Sequence, residues 1–261
     1  TQYRGRFAPS PTGPLHIGSL IAALASFLDA RHSGGAWLVR MEDLDPPREE
    51  PGAADSILNS LRHHGLHWDE AVLYQSTRSA AYATALDELA QGGRLFFCDC
   101  SRAILDADGA CRGACRTRQT EFAGCGAIRT AVPPDCTIQF TDRLQGPQYT
   151  ALGKSLADFV VRRKDGLDAY QLAVVVDDTA QGVTHVVRGA DLLDSTPRQI
   201  FLQQQLTYPT PRYAHLPVIT TGQGQKFSKQ NHAPALDNEQ SADNLRLALR
   251  FLHPTDRPPT L

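Results

Sequence analysis

Gly5-Arg6-Phe7-Ala8-Pro9-Ser10-Pro11-Thr12-Gly13-Pro14-Leu15-His16-Ile17-Gly18-Ser19 leads from an extended segment, through a loop holding three prolines, into the apolar run Leu20-Ile21-Ala22-Ala23-Leu24-Ala25-Ser26-Phe27-Leu28. Proline fixes φ and glycine frees it, so this punctuation marks a shaped loop between a strand and a helix read from Ser19 to His32. Outward from this opening, Ala36 to Leu44 reads as a second strand ending in the acidic Glu42-Asp43-Leu44-Asp45, and Ala53 to His64 and Thr77 to Gln91 read as amphipathic helices. Strands alternating with helices predict an α/β fold, a Rossmann-type doubly wound parallel sheet.

From Cys98 to about Pro147 this pattern gives way to a cysteine-rich segment and two short β-like runs, Ala127 to Val132 and Cys136 to Thr141. An inserted α+β subdomain is expected there. The α/β pattern resumes with extended runs at Asp158 to Arg162, Tyr170 to Val176 and Thr184 to Arg188, then a helix from Ser195 to about Leu206. Ser195, with Arg198 and Gln199 behind it, resembles a helix cap. A glycine-rich loop, Thr221-Gly222-Gln223-Gly224-Gln225, leads to Lys226 and Lys229, and Ser241 to Leu252 reads as a C-terminal helix. The expected division is 1–97 and 151–220 for the two halves of the Rossmann domain, 98–150 for the insert, and 221–261 for the lysine loop and a short helical segment.

A 261-residue chain of 41% hydrophobic composition can bury a sizeable core. No stretch approaches the roughly 20 apolar residues of a membrane helix, and Thr1 to Pro9 is not a secretory signal, so a cytoplasmic protein without membrane contacts is expected. The formal net charge is −2, so bulk charge does not demand nucleic acid, and any RNA contact has to come from local sites. Lysine is scarce: the 26 basic residues include only Lys154, Lys164, Lys226 and Lys229. Two of the four fall within one loop, where compact point charges suit a phosphate; the alternative is a pair of solvated loop lysines.

His16 sits where the first loop meets the first helix, a place where unpaired amides and the helix dipole favour an anion. Alone it reads more often as a structural cap or a surface residue. Paired with a distant glycine-rich loop bearing Lys226 and Lys229, it points to phosphoryl or nucleotidyl transfer, in which catalysis is mostly positioning and electrostatics. Neither a Walker loop nor a Gly-x-Gly-x-x-Gly fingerprint after the first strand occurs. Cys98-Asp99-Cys100 and Cys111-Arg112-Gly113-Ala114-Cys115 form a paired arrangement able to close tetrahedrally around Zn²⁺, with structural or redox thiols as the alternative. Nothing suggests secretion, which disfavours disulfides, and Cys125 and Cys136 stand outside the pairs.

His16-Ile17-Gly18-Ser19 and Lys226-Phe227-Ser228-Lys229-Gln230 resemble the two signatures of the class I aminoacyl-tRNA synthetases. Gly5 to Gly13, Arg40-Met41-Glu42-Asp43-Leu44-Asp45, Val187-Arg188-Gly189-Ala190-Asp191-Leu192-Leu193 and Tyr213-Ala214-His215-Leu216-Pro217 resemble the glutamyl and glutaminyl branch. Ser19, Phe227 and Gln230 depart from the usual histidine, methionine and serine. The resemblance implies His16, Lys226 and Lys229 as catalytic residues, and ATP, with Mg²⁺, held by His16, Gly18, Ser19, Lys226, Ser228 and Lys229. It also implies a glutamate pocket of Arg6, Ala8, Ser10, Glu42, Tyr170 and Arg188. Two arginine forks and a carboxylate are what a substrate with two carboxylates and one ammonium needs; Glu42 would meet the ammonium.

The branch contains a short form that binds zinc through Cys-x-Cys, a tyrosine and a cysteine. Here Cys111 takes the tyrosine's place, implying one closed, structural, all-cysteine zinc site at Cys98, Cys100, Cys111 and Cys115. That short form activates glutamate without tRNA and transfers it to the queuosine base in the anticodon loop of tRNA(Asp). With the chain ending at Leu261, no anticodon-binding domain is expected. The implied partners are glutamate, ATP and tRNA(Asp) bearing queuosine, with no obligate protein partner; Arg116, Arg118 and Arg162-Arg163-Lys164 are candidate phosphate contacts. The competing readings are a glutamyl-tRNA synthetase charging the 3′ end of tRNA(Glu), a small nucleotidyltransferase, and a non-catalytic zinc-stabilised RNA-binding paralogue.

Overall fold

A computed structural model describes residues 2–101, 103–105, 109, 111, 115–117, 126–155, 158–218 and 234–253. In chain order it begins with β1 (Arg4–Phe7), α1 (Ile17–His32), β2 (Ala36–Met41), α2 (Ala53–His63), β3 (Leu73–Tyr74) and α3 (Ser79–Gln91). Next come β4 (Leu95–Cys98), β5 (Ala127–Thr130), β6 (Ile138–Asp142), β7 (Gly146–Thr150), α4 (Leu152–Ser155) and β8 (Val160–Arg162). The series closes with α5 (Tyr170–Ala180), β9 (His185–Gly189), α6 (Thr196–Gln205), β10 (Arg212–Leu216) and α7 (Ser241–Leu252). No helix among the described residues is long and apolar enough to cross a membrane.

The chain forms two compact units. The first takes Thr1–Tyr74, Val183–Leu192 and Pro211–Leu261. Its strands are parallel: Arg4 to Phe7 of β1 pair with Ala36 to Val39 of β2, Arg40 of β2 with Leu73 of β3, and β10 runs beside β9 with His215 opposite Arg188. β9 adjoins β1, where Thr184 N–H donates to the Arg4 carbonyl at 2.9 Å and the Tyr3 ring stacks on His185 at 4.0 Å. β2 is almost wholly buried, as a parallel strand covered on both faces must be. Trp37 anchors it, donating its indole N–H to Ser26 Oγ of α1 at 2.9 Å. Just past the end of α1 at His32, Gly34 takes φ +61°, in the left-handed region. At Gly35 a Cβ would collide with the Tyr3 carbonyl, so glycine there lets the chain return into β2.

The second unit takes Gln75–Gly182 and Leu193–Thr210. Its sheet is antiparallel, in the order β4-β5-β8, and β6 and β7 form a separate hairpin. A buried polar node ties α3 to α5. Asp177, fully buried, accepts from Tyr82 Oη at 2.6 Å, Gln75 Nε2 at 2.9 Å and Arg78 Nε at 3.0 Å.

Three expectations need correction. Tyr170 to Val176 is the start of helix α5, not an extended run: Leu172 to Asp178 are all buried, and a helix buried on every side shows no amphipathic period. Asp158 to Arg162 contributes β8 to the antiparallel sheet and does not extend the parallel one. Ser195 precedes α6 without a capping bond from its side chain; its hydroxyl accepts instead from Gln171 Nε2 at 3.1 Å. β4 and β7 were not expected, and α1 begins two residues before Ser19.

Candidate active site

Ligands of open parallel sheets bind at the carboxyl ends of the strands. In the first unit the expected residues gather there. Arg6, Ala8 and Ser10 lie at the end of β1 and just beyond it, Glu42 follows β2, and Arg188 is the last residue but one of β9. Two backbone bonds hold the loops together: Glu42 N–H donates to the Pro9 carbonyl at 2.9 Å and Glu50 N–H to the Pro11 carbonyl at 3.0 Å. The prolines thus shape the loop that carries Ser10, which is exposed, toward the helix start at His16.

His16 is the N-cap of α1, with φ −119° and ψ 170°. Its Nδ1 accepts from Ser19 N–H at 3.4 Å, which assigns the ring proton to Nε2, 3.1 Å from Ser19 Oγ. Ser19, standing in the place of the family's second histidine, therefore grips the ring from one side. The first helical bond is Leu20 N–H to the His16 carbonyl at 3.0 Å. The amides of Ile17 and Gly18 precede that ladder, at the positive end of the helix.

Arg6 and Arg188 are both buried, at 4% exposure each. Arg188 donates through Nε to His215 Nε2 at 3.0 Å. Arg40, 0% exposed, has Nη2 3.4 Å from Glu42 Oε1, so an internal cation holds the carboxylate expected to meet an ammonium. Tyr170 opens α5 in the second unit, half-buried. Lys226, Ser228 and Lys229 lie outside the described residues. Arg40 and His215 had been quoted only as parts of motifs. Their signal was residue type: a charged or titratable side chain inside a strand whose neighbours are apolar.

The four expected cysteines come together in the second unit. The thiols of Cys98, Cys100, Cys111 and Cys115 all lie within 4.8 Å of one another, with Cys100 Sγ 3.4 Å from Cys115 Sγ and 3.7 Å from Cys111 Sγ. A disulfide needs about 2.05 Å, whereas four thiolates at about 2.3 Å from one Zn²⁺ stand about 3.8 Å apart, so the spacing fits a metal set and not bonded pairs. Cys98 ends β4, a regular element, and Asp99 accepts from the Cys115 thiol at 3.4 Å. Burial pushes the Cys98 thiol up, but the Cys100 backbone, the Cys111 and Cys100 thiols and the Arg129 charge outweigh it and leave the group below its ordinary value. Cys100 is pushed well above its own by the Cys115 hydrogen bond and by burial. Cys136 is separate from this group, and Cys125 lies outside the described residues.

The candidate phosphate contacts are partly engaged within the second unit. Arg116 donates to the Val132 carbonyl at 3.0 Å and pairs with Asp158 at 3.4 Å, Arg163 pairs with Asp165 at 2.6 Å, and Arg162 donates to the Gly166 carbonyl at 3.2 Å. Lys164 is exposed, and Arg118 is outside the described residues.

A parallel sheet with a capped helix N-terminus and buried arginines at its strand ends suits an anionic ligand, and comparison with known proteins gives the class. The catalytic-domain model of the class I tRNA synthetases (E and Q) matches residues 2–252, and the chain belongs to that family. It is 54% identical to the glutamyl-Q tRNA(Asp) synthetase of Neisseria meningitidis (serogroup C, strain FAM18), over 99% of this chain and 90% of that one. The protein of that name from Thiobacillus denitrificans is likewise 54% identical, over 96% of this chain and 85% of its own. Among solved structures, the glutamate tRNA ligase of Elizabethkingia meningosepticum in complex with its amino acid aligns with TM-score 0.78 at 29% identity. That alignment covers 88% of this chain and 52% of the ligase, so the chain spans about half the ligase's length.

Proposed function

We propose that this chain activates glutamate with ATP, forming glutamyl-adenylate and pyrophosphate, and transfers the glutamyl group to the queuosine base in the anticodon loop of tRNA(Asp). The observation that carries this reading is identity of 52 to 54%, over 96 to 99% of this chain, to relatives named glutamyl-Q tRNA(Asp) synthetase. The gathering of Arg6, Glu42 and Arg188 at the carboxyl edge of the parallel sheet supports it chemically.

In activation, the α-carboxylate oxygen of glutamate attacks the α-phosphorus of ATP and pyrophosphate leaves; Mg²⁺ brought with ATP would offset phosphate charge. Arg6 and Arg188 bind the substrate's carboxylates, and Glu42 its ammonium, with Ala8 and Ser10 beside them. The start of α1, with Gly18 and Ser19, takes the phosphates. His16 donates to them, and Lys226 and Lys229, with Ser228, stabilise the charge that grows in the transition state. Cys98, Cys100, Cys111 and Cys115 would hold one Zn²⁺, whose role with four thiolate ligands would be structural.

The test is transfer of labelled glutamate, with ATP, to purified queuosine-bearing tRNA(Asp) and to tRNA(Glu). Label on tRNA(Asp) in the anticodon loop is the expected result. Charging of tRNA(Glu) alone would overturn the acceptor, and no glutamate-dependent exchange of pyrophosphate into ATP would overturn the activation.

A further inference from the structure

Arg188 on β9 stands opposite His215 on β10 in the parallel register, and both are buried. A guanidinium only donates, so His215 Nε2 accepts the 3.0 Å bond from Arg188 Nε; the imidazole is therefore neutral and carries its proton on Nδ1. Arg188 Nη2 donates in addition to the Leu192 carbonyl at 3.4 Å. Tyr213, two residues before His215 and on the same face of β10, stacks on the imidazole with centroids 6.0 Å apart. Its ring also lies 5.5 Å from the Arg188 guanidinium carbon. Imidazole, carbonyl and phenol ring together fix the plane of the guanidinium.

We infer that His215 is a positioning residue: a neutral acceptor that orients Arg188 without cancelling the charge that Arg188 brings to a substrate carboxylate. The inference rests on the reading of Arg188 as a glutamate-binding residue. Arg40 in the same unit provides the contrast, since its partner Glu42 is a carboxylate that meets its charge directly. A carboxylate at position 215 would do the same to Arg188, whereas an amide would orient it and leave the charge intact.

Glutamine and methionine have nearly the same shape, and only glutamine carries a strong acceptor, so His215→Gln and His215→Met separate the hydrogen bond from packing. Pyrophosphate exchange is measured against glutamate and against ATP, with thermal midpoints as the folding control. His215→Met should raise KM for glutamate by about ten- to a hundredfold, the range for losing an acceptor to a charged donor, with kcat and KM for ATP within about threefold. His215→Gln should stay within about threefold of the parent in all three quantities. An unchanged glutamate KM in His215→Met overturns the inference, as does a parallel loss of kcat and both KM values in the two variants. If His215→Met does not fold, His215→Asn replaces it, an amide one bond too short to reach Arg188, with the same expectation. Absence of glutamate-dependent exchange in the parent chain would instead overturn the activation reading, and this inference with it.

Discussion

Replacing Cys98 or Cys100 by serine tests the zinc proposal most directly, because the thiol geometry sets its magnitude. Four sulfurs at about 2.3 Å from a central Zn²⁺ define a tetrahedron of edge about 3.8 Å. Two of the thiol contacts are 3.4 and 3.7 Å, and no pair of the four exceeds 4.8 Å, so closing the site asks for sulfur movements of about ångström size. Such movements are within reach of side-chain rotation, so a metal would bind without refolding the strand that Cys98 ends. Apparent binding free energies of structural zinc run about 10 to 16 kcal/mol in peptides, comparable to the whole stability of a domain at about 5 to 15 kcal/mol. Even a quarter of that, lost with one ligand, is about 3 kcal/mol and would lower the unfolding midpoint by roughly 6 to 12 °C. Elemental analysis should find about one zinc per chain in the parent and almost none in either serine variant. X-ray absorption should show four sulfurs at about 2.3 Å. Cys136→Ser, outside the cluster, should keep its metal. A folded, metal-free parent purified from zinc-supplemented medium would refute the reasoning, and so would a first shell containing nitrogen or oxygen.

Other perturbations separate catalysis from architecture. Lys229→Ala should lower the kcat of glutamate-dependent exchange by a factor of about a hundred or more while glutamate KM changes little, as for a group acting in the transition state; an unchanged kcat removes Lys229 from catalysis. Asp177→Ala strips the acceptor from Tyr82 and Gln75, both 0% exposed, whereas Arg78 turns to water. Gln75 Nε2 is then an orphaned buried donor, while Tyr82 Oη keeps its 3.4 Å bond to the Gln75 carbonyl, so denaturant unfolding should show a loss of about 1 to 3 kcal/mol, and an unchanged stability would refute the node. Asp69 is also informative, through pH. Burial pushes its carboxyl up, but hydrogen bonds from Arg31 and the Trp37 amide outweigh that and hold it below the usual carboxylate range. A depressed pKa means stability present above the unfolded carboxylate value of about 4 and lost as pH falls through the folded one. The Arg31 and Asp69 side chains are 36% and 40% exposed, so solvent screening limits Asp69→Asn to at most about 1 kcal/mol at neutral pH, with no difference from the parent once Asp69 is protonated. A difference persisting in acid would refute this assignment.

The chain's local signals were legible wherever one stretch carried the whole cause. The proline- and glycine-marked loop before α1 declares itself through backbone chemistry, and α7 has the expected limits, Ser241–Leu252, because its apolar stripe faces α1 while its other face meets water. The cysteines were legible for the same reason, since Cys98 with Cys100 and Cys111 with Cys115 are ligand pairs by spacing before any fold is known. What failed was identity decided by distant partners. Tyr170 to Val176, with its three consecutive valines, has the composition of a strand, and only enclosure on all sides, with Asp177 meeting Tyr82, Gln75 and Arg78 from far along the chain, makes it a helix. Likewise the run from Asp158 looks like any parallel strand until its partner, β5, proves antiparallel.

The same division runs through the candidate site. Residue type named Arg6, Arg188 and Glu42 as tools for an amino acid with two carboxylates, yet the sequence left open how each charge is held. A buried arginine beside a carboxylate is largely neutralised, while one beside a neutral acceptor keeps its field, and the low-dielectric interior magnifies that difference. Arg40 and Glu42 are two residues apart, so that pair is visible in the motif. Arg188 and His215 are 27 residues apart and meet only because β9 and β10 adopt one register. A one-residue slip of β10 would turn His215 to the opposite face and set Ala214 or Leu216 beside Arg188, leaving the guanidinium Nε without its acceptor. Strand register is thus the physical quantity that carries substrate electrostatics here, and it links the sheet's architecture to the charge that the site presents.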